Sequence, residues 1–570
     1  MRILLLVHAF NSLAQRLYVE LAQDGHELSV ELDIHDRVTS EAVELWRPDL
    51  ILAPFLKRAI PASLWQRHRC LIVHPGPPGD RGPAALDWAI LRGADSWGVT
   101  VLQAEAELDS GPVWGSAAFP MRCASKSSLY RNEVTEGAVS AVRAALERMA
   151  QGQGPLIDAR SGSEHGWQPP LAQTARAIDW AREDTTAILR KIHSADGYPG
   201  VEDSLFGHRF RLFDAQPESR LSGAPGAVIA RRHEAICRAT TGGAVWIGQL
   251  QPVDGARRSF KRPAALALGS LAESLPRFDE EKTDPGDSAG GQMHFGGEIR
   301  YEECGAVAYL HFDFYNGALS TAQCDRLRAA YALACRRPTR VIILMGGADF
   351  WCNGMHLHCI EAHDSPADAS WANINRIDDL ACDILQTDTH LTVAALRGNA
   401  AAGGVFLALA ADCVLARSGI VLNPHYRNMG NLFGSEYWTY LLPRRVGAGQ
   451  ARAIMARRLP LGMAEAASLG LIDDHAGPEE AEFRALVRAR AAALAAPNRF
   501  EQGLADKRRR RAADEQQRPL ADYRAEELER MRMNFYGFDP SYHIARHRFV
   551  HRTPHAWTPL HLARHRRTAA

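Results

Sequence analysis

Two glycine-rich segments of this sequence are suited to binding an oxygen atom that gains negative charge. Residues 398–416, GNAAAGGVFLALAADCVLA, place a glycine pair ahead of an apolar run that predicts a buried helix. Earlier in the chain, the apolar strand predicted at residues 341–345 precedes GGADFWCNGMHL, where Gly354 and Met355 open a second predicted helix. Backbone N–H groups at a helix start have no partner within the helix and lie at the positive end of its dipole. One N–H from each segment can therefore bind a single carbonyl oxygen.

This ordered pair of segments resembles the enoyl-CoA hydratase (crotonase) superfamily. The FxAGxDL and GxAxGGGxxLAxxxD patterns of that superfamily correspond here to residues 350–357 and 398–412. The resemblance implies that the N–H groups of Met355 and Gly403 form an oxyanion hole for an acyl-CoA thioester. It also implies that Asn316, in FYNGALST, lies at the lip of the acyl-CoA site. The alternative for either segment alone is that its glycines only allow close packing.

The crotonase resemblance departs from the family at the residues that add water. A hydratase uses two Glu side chains, and this sequence has Phe406 and His425 at those positions. The segment NPHYRNMGNLFGSEYWTY instead carries Tyr426 and Glu436 where crotonases point side chains into the pocket. A phenol and a carboxylate placed in this way predict an acid and base pair. The alternative is that the tyrosine packs and that Glu436 caps a helix.

A second group of candidate residues lies in the first part of the chain. His74 directly follows the strand predicted at residues 70–73, and Asp109 stands in the turn AELDSGPV. Ligands of doubly wound sheets bind at the carboxyl ends of strands, so a site is predicted here. A loop histidine and a turn-forming Asp-Ser-Gly are the alternative.

With Arg81-Gly82-Pro83 between them, His74 and Asp109 resemble the folate-dependent formyltransferases, whose pattern is NxHPSxLPxxRG and later DxG. The resemblance implies that His74 and Asp109 lie around the formyl group of 10-formyltetrahydrofolate and assist proton transfer, with Arg81 among the residues that bind the cofactor. Ile72 stands where the family has an Asn that polarises the formyl oxygen. Either another donor replaces that Asn, or the acceptor is not the usual amine. A thiolate acceptor needs less help from a base.

The elements that must position these residues predict an α/β fold. Residues 1–168 alternate apolar strands and amphipathic helices, which favours a doubly wound formyltransferase-like, folate-binding domain. Residues 169–260 predict a small β-rich module similar to the C-terminal domain of methionyl-tRNA formyltransferase. The composition of residues 261–297 is typical of a linker. Residues 298–570 predict a crotonase-like α/β domain with a helical tail.

Four further residues are predicted to bind cofactor. Arg131, in SLYRNEV, and Ser194, at the end of a predicted helix, are expected to face the formyltransferase cleft. Arg546 and Arg552, in the predicted helical tail, are expected to contact CoA phosphates, because Arg offers paired donors to phosphate. A surface position for the arginines and a capping role for the serine are the alternatives.

Charge and apolar patterning favour neither nucleic acid nor membrane as a partner. Lys plus Arg, at 66, equals Asp plus Glu, at 66, and the basic run at residues 507–511 is predicted to be a solvated helix face. No apolar run is long enough to span a bilayer, and the opening MRILLLVH predicts a first strand rather than a signal peptide.

The cysteine pattern predicts a cytoplasmic protein. Ten cysteines are scattered without a framework spacing, which favours reduced thiols. Cys352, His356, His358 and Cys359 match no common zinc spacing, so no metal is predicted.

The chain joins a formyltransferase-like N-terminal part to a crotonase-like C-terminal part. This arrangement, together with the segments YWTYLLPRRVG and ADYRAEELERM, resembles the HypX, or HoxX, family of hydrogenase-maturation factors. The resemblance implies a bifunctional enzyme that makes carbon monoxide for the iron centre of nickel-iron hydrogenase. A formyltransferase would move the formyl group from 10-formyltetrahydrofolate to CoA. A decarbonylase, which is a lyase, would then release CO and free CoA from formyl-CoA. Hydrogenase maturation proteins are the implied protein partners, and the CoA thiol is expected to reach both sites through a tunnel.

Two alternatives from other classes stay open at this point. One is a formyltransferase that acts on an amine, with the crotonase-like half as a CoA-sensing regulator. The other is a non-catalytic maturation scaffold, in which Ile72, Phe406 and His425 mark lost catalytic residues. The sequence also leaves open the oligomeric state and which of Tyr426 and Glu436 is the acid.

Overall fold

The computed structural model describes residues 1–157, 166–253, 259–278, 292–295 and 297–567. The chain divides into two compact units, of which the first combines Met1–Phe278 with Pro554–Ala570 and the second is Asp279–Thr553. The division falls inside the segment predicted to be a linker. Residues 279–291 and 296 of that segment lie outside the described residues.

The first unit begins with a six-stranded sheet in the order β2-β1-β3-β4-β5-β6. Its first four strands are parallel, as the alternation of strands and helices predicts, whereas β5 and β6 are antiparallel. Continuous apolar runs such as RILLLV form the buried strands, because helices cover both faces of such sheets. The strands are β1 (Arg2–Val7), β2 (Glu27–Leu32), β3 (Leu50–Phe55), β4 (Cys70–His74), β5 (Ser96–Gln103) and β6 (Val113–Pro120). The helices are α1 (Ser12–Gln23), α2 (Asp36–Trp46), α3 (Ala62–Trp65), α4 (Ala85–Arg92), α5 (Lys126–Leu129) and α6 (Thr135–Ala150).

The rest of the first unit contains an antiparallel sheet in the order β7-β8-β11-β10-β9, with β12 paired to β11. Its strands are β7 (Val201–Leu205), β8 (His208–Glu218), β9 (Val228–Arg232), β10 (Ala235–Thr240), β11 (Gly243–Pro252) and β12 (Arg262–Pro263). Its helices are α7 (Gln173–Arg176), α8 (Thr185–Ala195), α9 (Ala264–Leu268) and α10 (Ser270–Glu273). Strand β12 and helices α9 and α10 correct the linker prediction for residues 262–273. Ala264, Leu268 and Ala272 are buried in the core of this module, so these residues fold with it.

The end of the chain returns to the first unit, although residues 298–570 were predicted to form one crotonase-like domain. Strand β2 is an edge strand, and an edge leaves backbone groups without partners. Val30 N donates to Leu562 O at 3.1 Å. His565 Nε2 lies 2.8 Å from Glu31 Oε2, and both side chains are fully buried. The last residues of the chain, from Pro554, therefore belong to the first unit, because they cover this edge.

The second unit contains a seven-stranded sheet in the order β13-β14-β15-β17-β20-β22-β25, a four-stranded sheet β18-β21-β23-β24 and a short pair β16-β19. Its strands are β13 (Gln292–Phe295), β14 (Ile299–Cys304), β15 (Val307–Phe312), β16 (Ala318–Leu319), β17 (Val341–Leu344), β18 (Phe350–Cys352), β19 (Gly354–Met355), β20 (Leu391–Leu396), β21 (Asn399–Ala401), β22 (Cys413–Arg417), β23 (Val421–Asn423), β24 (Leu461–Gly462) and β25 (Asp474–Ala476).

Helices surround the sheets of the second unit, and the tail is helical as predicted. They are α11 (Thr321–Ala334), α12 (Leu357–Glu361), α13 (Pro366–Gln386), α14 (Gly403–Leu409), α15 (Trp438–Val446), α16 (Ala448–Arg457), α17 (Met463–Ser468), α18 (Glu480–Ala495), α19 (Pro497–Gln517), α20 (Leu520–Tyr536) and α21 (Ser541–Val550). Among the residues that the structure describes, none of these helices combines the length and apolar character needed to cross a membrane.

Two local predictions for the glycine-rich segments were wrong. The buried helix predicted for the apolar run that follows the glycine pair and reaches residue 416 ends at Leu409, and Cys413–Arg417 forms β22 between β20 and β25. An apolar run of this kind does not distinguish a buried helix from a buried strand. Gly354 and Met355 form the short strand β19, parallel to β16, and the helix α12 begins only at Leu357.

Candidate active sites

His74 is the last residue of strand β4, and the structure places it between two carboxylates. Its Nε2 lies 2.8 Å from Asp80 Oδ2, and its Nδ1 lies 3.7 Å from Asp109 Oδ2. The histidine is only 4% exposed, so bulk water does not compete strongly for these contacts. The predicted pair is thus brought together at the carboxyl end of a parallel strand. An imidazole between two carboxylates is suited to accepting and returning a proton.

Asp80 was missed by the sequence interpretation. Its side chain is buried, and its Oδ1 has no hydrogen-bond partner among the described residues. Buried polar atoms normally have a partner, which makes this oxygen a candidate to meet a donor on a ligand. A Cβ on Gly76 would overlap both the carboxylate and the imidazole, so glycine is required there for their close approach. The available signal was an acid in GPPGDRG directly before Arg81.

The Arg-Gly pair of the formyltransferase pattern holds Asp109. Gly82 N donates to Asp109 Oδ2 at 3.0 Å, and Asp109 itself adopts a left-handed φ of 55°. Gly82 has a φ of 111°, and a Cβ there would overlap the backbone oxygen of Gln168. Arg81 Nη1 donates to Glu107 Oε1 at 2.6 Å. Its predicted contact with cofactor stays a prediction.

Other residues predicted around this site have structural contacts. Ile72 lies on β4 and packs against a buried apolar cluster, so its side chain supplies no substitute for the family's Asn. Ser194 is fully buried, and its hydroxyl donates to Lys191 O at 2.8 Å. Arg131 lies in a π-helical turn, Tyr130–Val134. Cofactor binding by Ser194 and Arg131 stays a prediction.

In the second unit, the two glycine-rich segments lie side by side as predicted. A Cβ built on Gly354 would lie 3.4 Å from the backbone nitrogen of Gly403. Asn353 Nδ2 donates to Asn316 O at 2.8 Å, which ties the Asn316 turn to the same segment. Adjacent backbone of this kind can present N–H groups to one oxygen. Assignment of those donors to Met355 and Gly403 stays a prediction.

Asn373 also holds this segment in place, although it stands in none of the sequence motifs. Its Oδ1 accepts from His356 N at 3.1 Å, and its Nδ2 donates to Leu319 O at 3.0 Å. Asn373 is buried on α13 and therefore holds β16 and the end of β19 together.

Tyr426 and Glu436 form a buried pair. The Tyr426 hydroxyl lies 2.6 Å from Glu436 Oε2 and 3.0 Å from Ser435 O. A Cβ on Gly403 would overlap Glu436 Oε1, so the carboxylate lies directly against the first residue of α14. The pair is therefore next to the adjacent glycine-rich segments, where the thioester is expected.

Two further buried carboxylates hold the turn that carries Glu436. Asp378 on α13 accepts from Ser435 Oγ at 2.7 Å and from Glu436 N at 2.8 Å. Glu527 on α20 accepts from Tyr437 N at 2.9 Å. Both are fully buried. Asp378 stands in none of the motifs, and Glu527 stands in ADYRAEELERM without a predicted role.

These contacts offset local backbone strain. Glu436 has a φ of 58° and Tyr437 a φ of 60°, a region that non-glycine residues rarely adopt. Such strain costs on the order of 1–3 kcal/mol for each residue and concentrates at functional sites. Asp378 and Glu527 bond to the two strained N–H groups, and so fix the direction of the Glu436 side chain.

The crowding of buried acids shifts their protonation. Burial, together with the negative charge of Asp378, raises the pKa of Glu436 to about 8. Burial also raises the pKa of Asp378 to about 6 and holds the pKa values of Glu527 and Tyr426 well above their usual range. Glu436 is thus poised to exchange a proton close to neutral pH, which suits acid or base chemistry.

Apolar rings complete this site. Phe406, which stands where a hydratase has Glu, stacks on the Tyr426 ring with centroids 5.4 Å apart and planes 17° apart. His425, the residue that precedes Tyr426, is also buried and is 6% exposed. The aromatic stack restricts the Tyr426 ring and offers no carboxylate for water addition.

Contact of Arg546 and Arg552 with CoA phosphates stays a prediction. Arg546 is only 4% exposed, and its Nε lies 2.7 Å from Glu361 Oε2. Arg552 is exposed, with a φ of 49°. His356 caps α12, because its Nδ1 accepts from Cys359 N at 3.2 Å.

Comparison with known proteins follows the same division of the chain. A family model described as "Formyl transferase" matches residues 1–146, and one for the "Formyl transferase, C-terminal domain" matches residues 170–263. A model described as "Enoyl-CoA hydratase/isomerase" matches residues 304–557.

A hydrogenase maturation factor HoxX from Bradyrhizobium diazoefficiens is 54% identical over 567 residues, covering 99% of this chain and 97% of that protein. The crystal structure of HypX from Aquifex aeolicus in complex with tetrahydrofolic acid is 48% identical, covers 99% of both chains and has a TM-score of 0.94. A methionyl-tRNA formyltransferase from Citrifermentans bemidjiense is 24% identical over 245 residues, which cover 42% of this chain and 76% of that protein.

Fold and matched families together define a formyltransferase joined in one chain to a crotonase-like domain. This confirms the predicted α/β fold class. The near full-length match then settles the family: the chain belongs to the HoxX, or HypX, hydrogenase maturation factors.

Proposed function

We propose that this protein makes carbon monoxide for the maturation of nickel-iron hydrogenase, in two steps carried out by one chain. In the first step a formyl group passes from 10-formyltetrahydrofolate to the thiol of CoA. In the second step formyl-CoA is cleaved to CO and free CoA. The folate substrate is supported by the HypX of Aquifex aeolicus, which was solved in complex with tetrahydrofolic acid. The CoA substrate is supported by the match to the enoyl-CoA hydratase/isomerase model.

The His74 site supports the formyl transfer. The CoA sulfur attacks the formyl carbon as the carbon–nitrogen bond to the folate breaks, and the departing folate nitrogen takes up a proton. His74, held at Nε2 by Asp80 and facing Asp109 at Nδ1, accepts the thiol proton and delivers it to that nitrogen. A thiol gives up its proton more readily than an amine acceptor, which suits a site that has Ile72 in place of an amide donor.

The buried Tyr426–Glu436 pair carries the proposal for the second step. In formyl-CoA the carbon–hydrogen and carbon–sulfur bonds both break, and the carbon retains one electron pair as it becomes CO. Glu436 removes the formyl proton as base, and Tyr426 protonates the departing sulfur as acid. No oxidant or reductant is required. The N–H groups of Met355 and Gly403 orient the thioester, since its oxygen need not become anionic.

The surroundings of this pair favour cleavage over hydration. Phe406 replaces a hydratase carboxylate and stacks on Tyr426, so the site lacks a second base there to activate water. Formyl thioesters hydrolyse readily, and a buried site keeps the intermediate away from water. We further propose that the protein acts in the cytoplasm and passes CO to hydrogenase maturation proteins.

Incubation of the purified protein with 10-formyltetrahydrofolate and CoA tests the proposal. CO is trapped with reduced haem, and released tetrahydrofolate is measured in the same sample. We expect CO and tetrahydrofolate in equal amounts, both dependent on CoA. A formylated amine without CO would instead indicate an amine formyltransferase, and no turnover of the folate would indicate a scaffold.

A further inference from the structure

Three potential metal ligands meet at a point that the proposed function does not use. Glu361 is the last residue of α12, and His547 and His551 lie at the end of α21 and directly after it. Their ligand atoms all lie within 4.8 Å of one another. Residues four apart share one face of a helix, which explains why both imidazoles point to the same carboxylate.

One of the two distances from the carboxylate equals that in a tetrahedral metal site, and the other is shorter. Glu361 Oε1 lies 2.8 Å from His547 Nδ1 and 3.3 Å from His551 Nε2. Zn²⁺ binds His nitrogen and carboxylate oxygen at about 2.0–2.2 Å, so neighbouring ligand atoms in a tetrahedral site are separated by about 3.3 Å. A small shift of the carboxylate would therefore suffice to admit an ion.

The surroundings of the three residues also fit a cation. Arg546 Nε binds Oε2 at 2.7 Å and leaves Oε1 directed at the histidines. Outer partners of this kind orient a carboxylate ligand. The His547 side chain is 58% exposed, which gives an ion access from solvent and room for a water molecule.

We propose that Glu361, His547 and His551 form a binding site for a divalent transition-metal ion, with Zn²⁺ the best match to two imidazoles and one carboxylate. The sequence patterns predicted no metal, because the ligands come from segments more than 180 residues apart. A bound ion would join α12, which begins two residues after Met355, to the tail helix α21. The proposal is independent of the proposed function.

Metal binding to the full-length protein tests this inference. The chain is treated with a chelator, dialysed, and titrated with ZnCl₂ by calorimetry, and then with CoCl₂ followed by visible absorption. We expect one equivalent of Zn²⁺, and a tetrahedral Co²⁺ spectrum without the thiolate charge-transfer band that a cysteine site produces. Loss of an outer partner alone weakens metal binding about 10–100-fold, so His547→Ala and His551→Ala should each weaken it at least about a hundredfold.

His363→Ala serves as the matched control, because His363 is exposed in the second unit and lies outside the cluster. It should bind one equivalent with unchanged affinity. Circular dichroism of each variant shows whether the fold is retained, and the exposure of His547 makes its replacement easy to tolerate. Absence of a stoichiometric site in the unaltered protein overturns the proposal. So does a site that survives both histidine replacements or shows the thiolate band.

Discussion

Replacement of Tyr426 by Phe should stop CO release and leave formyl transfer intact. The substitution removes only the hydroxyl, which contacts Glu436 Oε2 at 2.6 Å and Ser435 O at 3.0 Å. The ring keeps its stack on Phe406, so the shape of the site is preserved. His74 lies in the other unit and makes no use of this hydroxyl.

The size of the effect follows from these contacts. A hydrogen bond to a charged group contributes about 1.5–3 kcal/mol, and the site is buried, so water does not easily replace the hydroxyl. If Tyr426 also transfers a proton to sulfur, the rate falls by a further general-acid factor. We therefore expect CO release to decrease about 10²–10⁴-fold, equivalent to about 3–5 kcal/mol in the barrier. Formation of tetrahydrofolate should change less than about threefold.

Both products are measured in the same reaction, CO by reduced haem and tetrahydrofolate by chromatography. Tyr331→Phe is the control, because its hydroxyl is also buried and lies 2.6 Å from Thr387 Oγ1, away from Glu436. It should lower stability without a selective effect on CO. Equal loss of both products in Tyr426→Phe, or loss of neither, would refute the assignment of Tyr426 to the second step.

The remaining predictions concern the two sites and their pH dependence. If Glu436 is the base, CO release from formyl-CoA should increase as the pH rises through about 8; a decrease over that range would assign it as the acid. The same raised pKa means that, between pH 4.5, the usual pKa of a glutamate, and about pH 8, the folded state retains a proton that the unfolded state has lost. The free energy of unfolding should therefore decrease as the pH rises through this range, as measured by urea denaturation at several pH values. Gly403→Ala should abolish CO release, because its Cβ would displace the Glu436 carboxylate; unchanged release would contradict that placement. Asp80→Asn should slow tetrahydrofolate formation about 10²-fold without slowing decarbonylation of added formyl-CoA, and an equal effect on both would contradict the separate roles.

Much of the fold was predictable because strong local patterns specified it. The apolar runs of the first sheet and the glycine-rich segments of the second unit marked their elements and their order along the chain. The prediction of a helix up to residue 416 was wrong, because a short apolar run is compatible with a buried helix and with a buried strand. The prediction of a linker was wrong over residues 262–273, because a few buried alanine and leucine side chains outweigh the polar composition there.

Site residues were predictable where a motif carried them and not where only the fold brings them together. His74, Asp109, Tyr426 and Glu436 stand in motifs, and the structure brings each pair together. Asp378 and Glu527 act on the same turn from helices distant in sequence, so neither the sequence around Asp378 nor the segment ADYRAEELERM around Glu527 reveals this contact. The burial of Lys507 was likewise not predictable from the local sequence.

Lys507 was predicted to lie on a solvated helix face within the basic run at residues 507–511. It is 4% exposed, and its Nζ lies 2.6 Å from Asp412 Oδ2. Composition gives the charge of such a run, whereas only the packing of α19 against the sheet decides which member is buried.

Isotopic labelling of the formyl carbon tests most directly whether one chain makes CO through a CoA thioester. 10-Formyltetrahydrofolate labelled with ¹³C at the formyl group is mixed with CoA and either the unaltered protein or Glu436→Gln, and the quenched products are identified by mass spectrometry. The unaltered protein should yield labelled CO, and the variant should accumulate labelled formyl-CoA, or the formate from its hydrolysis, in step with the folate consumed. Labelled CO formed without CoA, or formed at an undiminished rate by Glu436→Gln, would contradict the account.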